Sequence, residues 1–501
     1  MKRRNFLAAA SASVLPVFLD GFGLKALNRQ SALVQALLST QSAYADRVLV
    51  IVYLNGGNDG LNTVIPLDQL SAYNTLRSNI AIPQAKILTL DGNPATGLHP
   101  ALTGLRNLYN AGNLSIVHSV SYPNPDQSHY RSTDIWMTGV DADKVSATGW
   151  AGRYLENQYP GYPNGYPNAQ MEDPLAIQIG YLTSTALLGS QQSMAIALND
   201  PDSFYQLVGT GNATSPGGLP CCDAGDLIAF VRRQQALSVG YAAEIKRAAD
   251  AGKNLATYPT DADNNSLADQ LKIVARLIHG GLKTKIYFVS LNGFDTHSTQ
   301  VDASDTTAGA HASLLGKLSV AIETFQQDLT RQGTADRVVG LTFSEFGRRA
   351  NANSSRGTDH GVAAPMFVFG RGVRHQTIGQ NPDLANLSGQ YGNKDIPMQI
   401  DFRRVYSDVL SDWFGATAAD TGSLLFRSFP TVSLFSDTVE TVASGDWSDR
   451  SVWTVGRLPM SNEYVKINPG HTVTLRQHIS VRNLRLEGTL TTGPYRVKMT
   501  G

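Results

Sequence analysis

Continuous runs of β-branched and other apolar residues constrain the fold of this chain more than any other feature. Such runs are typical of strands that are buried on both faces, as in a parallel sheet. The segments between the runs have the three- and four-residue spacing of amphipathic helices. Five runs occur, at residues 47–54, 114–120, 285–291, 337–343 and 365–370, and the main helical segments are 101–111, 226–251, 266–282 and 310–332.

Alternating strands and helices predict βαβ units. We therefore expect an α/β fold with a mostly parallel sheet flanked by helices. The chain has 501 residues, of which 42% are hydrophobic, so it is long enough to bury a large core without disulfides. The formal net charge is zero, which argues against a nucleic-acid partner. Cys221 and Cys222 are adjacent, and they are either loop thiols or a strained vicinal disulfide.

The N-terminus has the pattern of an export signal. Arg3 and Arg4 stand directly before a short apolar stretch at residues 6–19, which indicates a twin-arginine signal peptide. An Ala-Tyr-Ala site ends at Ala45, so we expect a signal peptide over 1–45, with an uncleaved anchor as the alternative. The expected partner is the twin-arginine export machinery, the expected location is periplasmic or secreted, and no transmembrane segment is expected in the mature protein.

The pattern of apolar and polar residues changes near residue 440. Short, alternating, β-prone pieces follow, and they predict a small all-β module over 439–501, which has no obvious closing cap. The α/β domain is then expected over 46–438. Trp447 and Trp453 either fill the core of the module, which we favour, or stack on sugars.

Acidic residues and histidines follow the ends of several predicted strands. In open α/β sheets, ligands bind outside the carboxyl ends of the strands. Carboxylate and imidazole ligands suit zinc, manganese or iron. The predicted metal ligands are Asp59, Asp295, His297, Glu345 and His360, although each carboxylate could instead cap a helix or stabilise a turn.

Three of these residues give the sharpest expectation. Asp295 and His297 follow the third strand, and His360 lies in the loop before the fifth. If both loops open on one edge of a parallel sheet, the three side chains converge, with ligand atoms about 3–5 Å apart.

The candidate nucleophile is Ser128, because His129 beside it could position or deprotonate it. Adjacent side chains converge only in a turn, so the alternative is a capping pair that opens a helix. Thr63 and Ser344 are weaker candidates. Arg348 could hold an anionic ester, since a guanidinium matches phosphate or sulfate, or it could be an ordinary ion-pair partner.

Five ordered blocks of sequence carry these residues. They are LNGGNDGLNT at 54–63, SHY with IWMTG within 128–139, GFDTH at 293–297, SEFGR at 344–348 and GTDHG at 357–361. They resemble the signatures of the exported family called "domain of unknown function 1501", over roughly residues 46–435. That family looks like a branch of the alkaline phosphatase superfamily, whose members include sulfatases.

The resemblance implies an alkaline phosphatase-like fold with two metal ions at the carboxyl edge of the sheet. It places Asp59 as the ligand from the first strand, and Asp295, His297 and His360 in a histidine-rich site. Phe346 stands where the superfamily carries a histidine, so one metal site would lack a ligand.

The function expected from residues and resemblance is an exported metal-dependent hydrolase of phosphate or sulfate esters, with zinc or manganese as the divalent ion. Its substrate would be a small anionic ester or a polysaccharide. The alternative is a catalytically silent exported scaffold, or a protein that binds surfaces or polysaccharides.

Overall fold

The structure is a computed structural model that describes residues 17–19, 22–24, 46–169, 171–208, 222–260, 264–374, 376–389, 392, 394–435, 438–461, 463–481 and 483–499. The paired arginines, the cleavage site at Ala45 and Cys221 lie outside these residues. The expectations for export and for a vicinal disulfide are therefore not addressed by it.

The strands are, in chain order, β1 (Val17–Leu19), β2 (Phe22–Leu24), β3 (Val48–Asn55), β4 (Val64–Pro66), β5 (Leu88–Leu90), β6 (Asn93–Leu98), β7 (Leu114–Ser121), β8 (Ala176–Ile179), β9 (Ala195–Leu198), β10 (Ile286–Asn292), β11 (Val338–Phe343), β12 (Ala364–Phe369), β13 (Gln376–Ile378), β14 (Ile400–Asp401), β15 (Thr438–Glu440), β16 (Gly445–Asp446), β17 (Tyr464–Ile467), β18 (Thr472–Thr474), β19 (Ile479–Val481), β20 (Asn483–Leu486), β21 (Thr489–Thr491) and β22 (Val497–Met499).

The α-helices are α1 (Gly60–Thr63), α2 (Leu70–Leu76), α3 (Thr103–Asn110), α4 (His129–Thr138), α5 (Trp150–Gln158), α6 (Pro201–Val208), α7 (Cys222–Ala251), α8 (Ser266–His279), α9 (Ala310–Arg331), α10 (Phe402–Asp408) and α11 (Ala418–Leu424). Short 3-10 turns occur at Leu67–Gln69, Gln84–Lys86, Thr185–Leu187, Ala335–Arg337 and Arg450–Val452, and a π-helical turn at Val409–Trp413 follows α10.

The central sheet has nine strands in the order β13-β7-β12-β11-β3-β10-β8-β9, with β14 also paired to β7. Strand β3 lies in the middle and pairs in parallel with both β10 and β11. Its apolar run is buried on both faces, which is why it does not alternate with polar residues. Helices α8 and α9 pack on each other, and α3 packs on α9. The predicted fold class, a mostly parallel sheet flanked by helices, is confirmed.

Strand β12 differs from the expected arrangement because it runs antiparallel to both neighbours, β11 and β7. We expected the loop before this strand to bring His360 to the carboxyl edge because the sheet is parallel, and that reason is wrong. A loop that precedes a parallel strand opens on the opposite edge. Because β12 is reversed, the connection from β11 starts and ends at the carboxyl edge and carries His360 there.

The C-terminal strands form small parallel sheets of their own, β15-β17-β20, β16-β18-β21 and β19-β22. Their apolar side chains make a cluster separate from the main core. Trp447 and Trp453 are buried in it, and the Trp453 indole donates to the carbonyl of Trp447 at 3.0 Å. This agrees with the core interpretation of the two tryptophans.

Within the described part of the chain, no helix combines the length and the apolar character that crossing a membrane requires.

Candidate metal centre

The site is built on a glycine turn that follows β3. Gly56 has φ 126°, a conformation that favours glycine. A Cβ on Gly56 would lie 2.3 Å from the backbone nitrogen of Asp295. The turn after β3 and the loop after β10 can therefore touch only because residue 56 has no side chain.

Three donor atoms converge beside this turn. Nε2 of His297 lies 2.9 Å from Nε2 of His360. Oδ1 of Asp295 lies 3.1 Å from the first nitrogen and 3.3 Å from the second. Two ligands bound to one ion at 2.0–2.2 Å lie about 3–3.6 Å apart. The three atoms, which we call the donor trio, therefore have the spacing of ligands on a single ion.

The orientation of His360 favours metal binding. Its Nδ1 lies 2.8 Å from the carbonyl oxygen of Gln127, which can only accept, so Nδ1 carries the proton. The lone pair of a neutral imidazole then lies on Nε2 and faces the other two atoms of the donor trio. Burial, followed by the charge of Arg348, lowers the pKa of His360 despite its hydrogen bonds to Gln127 and Asp295.

Asp295 is fixed by Arg348, whose Nη2 donates to its Oδ1 at 2.6 Å. Burial works against the charged carboxylate, but the hydrogen bond and charge of Arg348 outweigh it, and the pKa of Asp295 is lowered. Asp295 therefore stays ionised, as a ligand must.

Arg348 itself is fully buried. Its guanidinium also donates to the carbonyl oxygens of Gly57 at 2.7 Å, Thr358 at 2.9 Å and Gly56. The structure thus places this predicted catalytic residue against backbone and Asp295. In that position it braces the loops of the site.

His129, at the start of α4, lies beside the donor trio. Its Nδ1 lies 2.7 Å from Oε1 of Glu345, and its Nε2 lies 3.6 Å from Oδ2 of Asp295. One donor atom each from His129, Asp295 and His360 lie within 4.8 Å of one another. The imidazole is therefore placed either to bind the same ion or to exchange a proton next to it.

Glu345 is fully buried, and the backbone nitrogen of Gly56 donates to both of its oxygens, at 3.0 and 3.2 Å. Its carboxylate faces His129 rather than the donor trio. The structure gives it the position of a group that orients an imidazole, and its assignment as a metal ligand stays a prediction.

Ser128 is the N-cap residue of α4, and its side chain makes no capping hydrogen bond. It is exposed and precedes His129 directly, so its assignment as nucleophile stays a prediction. The two weaker candidates are buried and bonded. Thr63 donates to the carbonyl of Asp59 at 2.7 Å, and Ser344 donates to the carbonyl of Leu54 at 2.6 Å.

Within the described part of the chain, no hydrogen bond joins Asp59 to the donor trio. Its Oδ2 accepts from Nη1 of Arg77 at 2.5 Å and from Nε2 of Gln300 at 2.6 Å. Both members of the ion pair are fully buried. Burial opposes the charge of Asp59, but Arg77 outweighs it and lowers its pKa. Its assignment as a metal ligand stays a prediction.

Phe346 lies against the imidazoles of the site. Its ring centroid is 4.4 Å from that of His360 and 4.8 Å from that of His129. A Cβ on Gly57 would lie 2.3 Å from the ring. The ring therefore fills its place closely and presents carbon, not a ligand atom, to the site.

Sequence reasoning missed the residues that hold the candidates in place. Gln127 contributes a backbone carbonyl, and Arg77 and Gln300 contribute side chains. Arg77 is the C-cap residue of α2, far from any strand end. No spacing in the sequence marks it, because its partner is set by tertiary packing alone.

One family model matches the chain, over residues 230–424, and its description is "Protein of unknown function (DUF1501)". The match covers the third, fourth and fifth sequence blocks and confirms the family resemblance. None of the curated proteins matches the chain in sequence.

Solved structures resemble the fold at low identity. Ps i-CgsB in complex with k-i-k-neocarrahexaose has 10% identity and a TM-score of 0.35, over 77% of this chain and 75% of that one. An alkaline phosphatase superfamily protein from Vibrio parahaemolyticus has 12% identity and a TM-score of 0.32, over 76% of this chain and 72% of that one. The PsFucS1 sulfatase from Pseudoalteromonas sp. has 11% identity and a TM-score of 0.32, over 70% of this chain and 68% of that one. At these values the likeness to solved structures assigns no activity to this chain.

Proposed function

We propose that this relative of the DUF1501 family is an exported, metal-dependent hydrolase of phosphate or sulfate esters. The observation that carries the proposal is the donor trio of Asp295, His297 and His360, with spacings of 2.9–3.3 Å at the carboxyl edge of the sheet. Nε2 of His360 and Oδ1 of Asp295 are both acceptors and lie 3.3 Å apart, so they repel one another unless a cation or a proton lies between them.

The residues fit a divalent ion such as zinc or manganese, because two imidazoles and a carboxylate are ligands that both accept. When bound, such an ion polarises an ester oxygen and lowers the pKa of water. Asp295 and His297 are about half exposed, at 47% and 45%. An ion held there is open to a substrate from solvent.

His129 and Glu345 support proton transfer next to the ion. The buried carboxylate orients the imidazole through Nδ1, so Nε2 is left to take or give a proton on the side of Asp295. This is the arrangement by which a carboxylate fixes the tautomer of a general base. Ser128, directly before His129, is the proposed nucleophile, and its exposed position on α4 leaves it accessible to a substrate.

The anionic ester as substrate follows from charge. A cation held by the donor trio beside His129 would stabilise the charge that develops on a phosphate or sulfate ester. A second candidate, a catalytically silent scaffold or polysaccharide-binding protein, is favoured by Phe346, which offers carbon where a ligand would complete a second site.

The export part of the proposal rests on the sequence. Changing Arg3 and Arg4 together to Lys should block translocation, because the pair is the address read by the receptor. The measurement is the fraction of processed protein in the periplasm. Full export of the doubly changed precursor would contradict it.

The experiment for hydrolysis measures metal content and activity on the same exported protein. Aryl phosphate and aryl sulfate esters serve as substrates. His360→Ala should lose both the metal and the activity, while His279→Ala, at the end of α8, serves as the matched control and should keep both. A metal-bearing protein that hydrolyses neither class favours the scaffold, and a metal-free wild type contradicts the hydrolase.

A further inference from the structure

The buried ion pair of Asp59 and Arg77 bears on how many cations the site takes. Arg77 has no exposed side-chain surface. Beyond Asp59, it donates to the side chain of Asn62 at 3.0 Å and to the carbonyls of Ala350 and Arg349, each at 2.9 Å. Its guanidinium is bonded on every nitrogen, so it is a fixed positive charge inside the protein.

From this ion pair we infer that the site takes one divalent cation, and that the guanidinium of Arg77 neutralises Asp59 in place of a second. The inference deepens the proposed function and rests on it. The resemblance to the superfamily implies two metals with Asp59 as a ligand, and the residues present do not fit the second.

The bonds of Asp59 are the first reason. Its Oδ2 is already shared by Arg77 and Gln300, and a metal ion there would have to displace a buried cation. The remaining oxygen, Oδ1, is buried and has no hydrogen-bond partner among the described residues. One free oxygen beside a guanidinium makes a poor cation site when the whole pair is enclosed, because no solvent screens the guanidinium from the ion.

The ring of Phe346 is the second reason. It is buried and contacts both His129 and His360. A second ion on the far side of these imidazoles would meet an aromatic ring where it needs a nitrogen or oxygen.

The local charge is the third reason. Arg77 and Arg348 are both fully buried near the edge of the sheet. Each is paired with one carboxylate, Asp59 or Asp295. Asp295 is half exposed, so solvent screens the charge of Arg348 from an ion bound there, whereas an ion at Asp59 would lie beside Arg77 in a poorly screened interior.

The test is the number of ions per chain in the full exported protein, equilibrated separately with Zn²⁺ and with Mn²⁺ and then freed of excess ion. The expected result is one ion per chain. Two ions per chain would overturn the inference and leave the proposed function standing. No bound ion would overturn both.

Two variants test the role of Asp59 against that of Asp295. The double variant Asp59→Asn with Arg77→Met removes both charges of the buried pair, and it should keep one ion with an affinity within about threefold of wild type. Asp295→Asn removes a member of the donor trio and should weaken binding at least about tenfold, as lost metal-site contacts commonly do. A tenfold loss in the double variant would make Asp59 a ligand and overturn the inference. If the double variant does not fold, the ion count on the wild type decides.

Discussion

Two aspartate–arginine pairs at the same edge of the sheet have opposite surroundings. Asp59 and Arg77 are both fully buried, at 2.5 Å. Asp295 and Arg348 are similarly close, at 2.6 Å, but the aspartate side chain is 47% exposed. In both pairs the arginine lowers the pKa of the carboxyl group against the effect of burial.

The difference shows that the same kind of ion pair can either stabilise the core or orient a ligand at a functional site. A carboxylate enclosed with its arginine has its charge neutralised within the core. A half-exposed carboxylate whose Oδ1 accepts from its arginine and also faces two imidazoles is an oriented ligand that is kept ionised. The partial exposure of Asp295, rather than its ion pair with Arg348, makes its carboxylate available as a ligand.

The largest effect is expected from Arg77→Met. This change leaves Asp59 charged and unpaired inside the protein, which typically costs about 3–5 kcal/mol. Urea unfolding at pH 7 measures the free energy. The double change with Asp59→Asn should recover most of the loss, since it removes both charges. A loss below about 1 kcal/mol in the single variant, as for an exposed pair, would show that the pair is not enclosed.

A third carboxylate, Asp408, differs from both aspartates because it is buried beside another acid, Asp412, and not beside an arginine. Burial, followed by the neighbouring Asp412, raises its pKa to about 7, although the backbone N–H of Val432 works in the opposite direction. A raised pKa means that its contribution to stability is present below the unfolded value of 3.8 and is lost as pH rises through about 7.

Asp408→Asn should therefore remove a decline of stability between about pH 4 and 7 that wild type shows. The measurement is the free energy of unfolding across that range, with Asp412→Asn as a matched neighbour expected to reduce the decline less. Parallel curves for wild type and Asp408→Asn would contradict the raised pKa.

The smallest effect is expected from truncation after residue 438. The strands beyond it have their own apolar cluster. Among the described residues, few hydrogen bonds join them to the main domain, such as that from Arg450 to the carbonyl of Asn110, at the end of α3, at 2.7 Å. The melting temperature of the remaining domain should be nearly unchanged, as should both aspartate–arginine pairs. A fall of many degrees, or an insoluble product, would show that the module completes the main core.

The main elements of the fold could be predicted from the sequence because each carries its signal locally. The run at 47–54 became β3, and the helical pattern at 310–332 became α9. The direction of β12 could not be predicted, because its apolar run fits either orientation and only its neighbours decide. That reversal is what brings His360 to the carboxyl edge.

The site could be predicted only in part, because some of its contacts also depend on neighbours that are distant in sequence. Asp295, His297 and His360 follow or precede strands, so the topology brings them together. The positions of Asp59 and Glu345 depend on their contacts with Arg77 and His129, respectively, which come from other elements of the chain. Spacing alone does not report which partner a buried carboxylate meets.

The single-cation site can be tested by anomalous X-ray diffraction from crystals of the exported protein, recorded at the absorption edge of its metal. We expect one peak per chain, about 2.0–2.2 Å from Oδ1 of Asp295 and from Nε2 of both His297 and His360. The absence of a peak there, or a peak bonded to Asp59 in place of the donor trio, would contradict it.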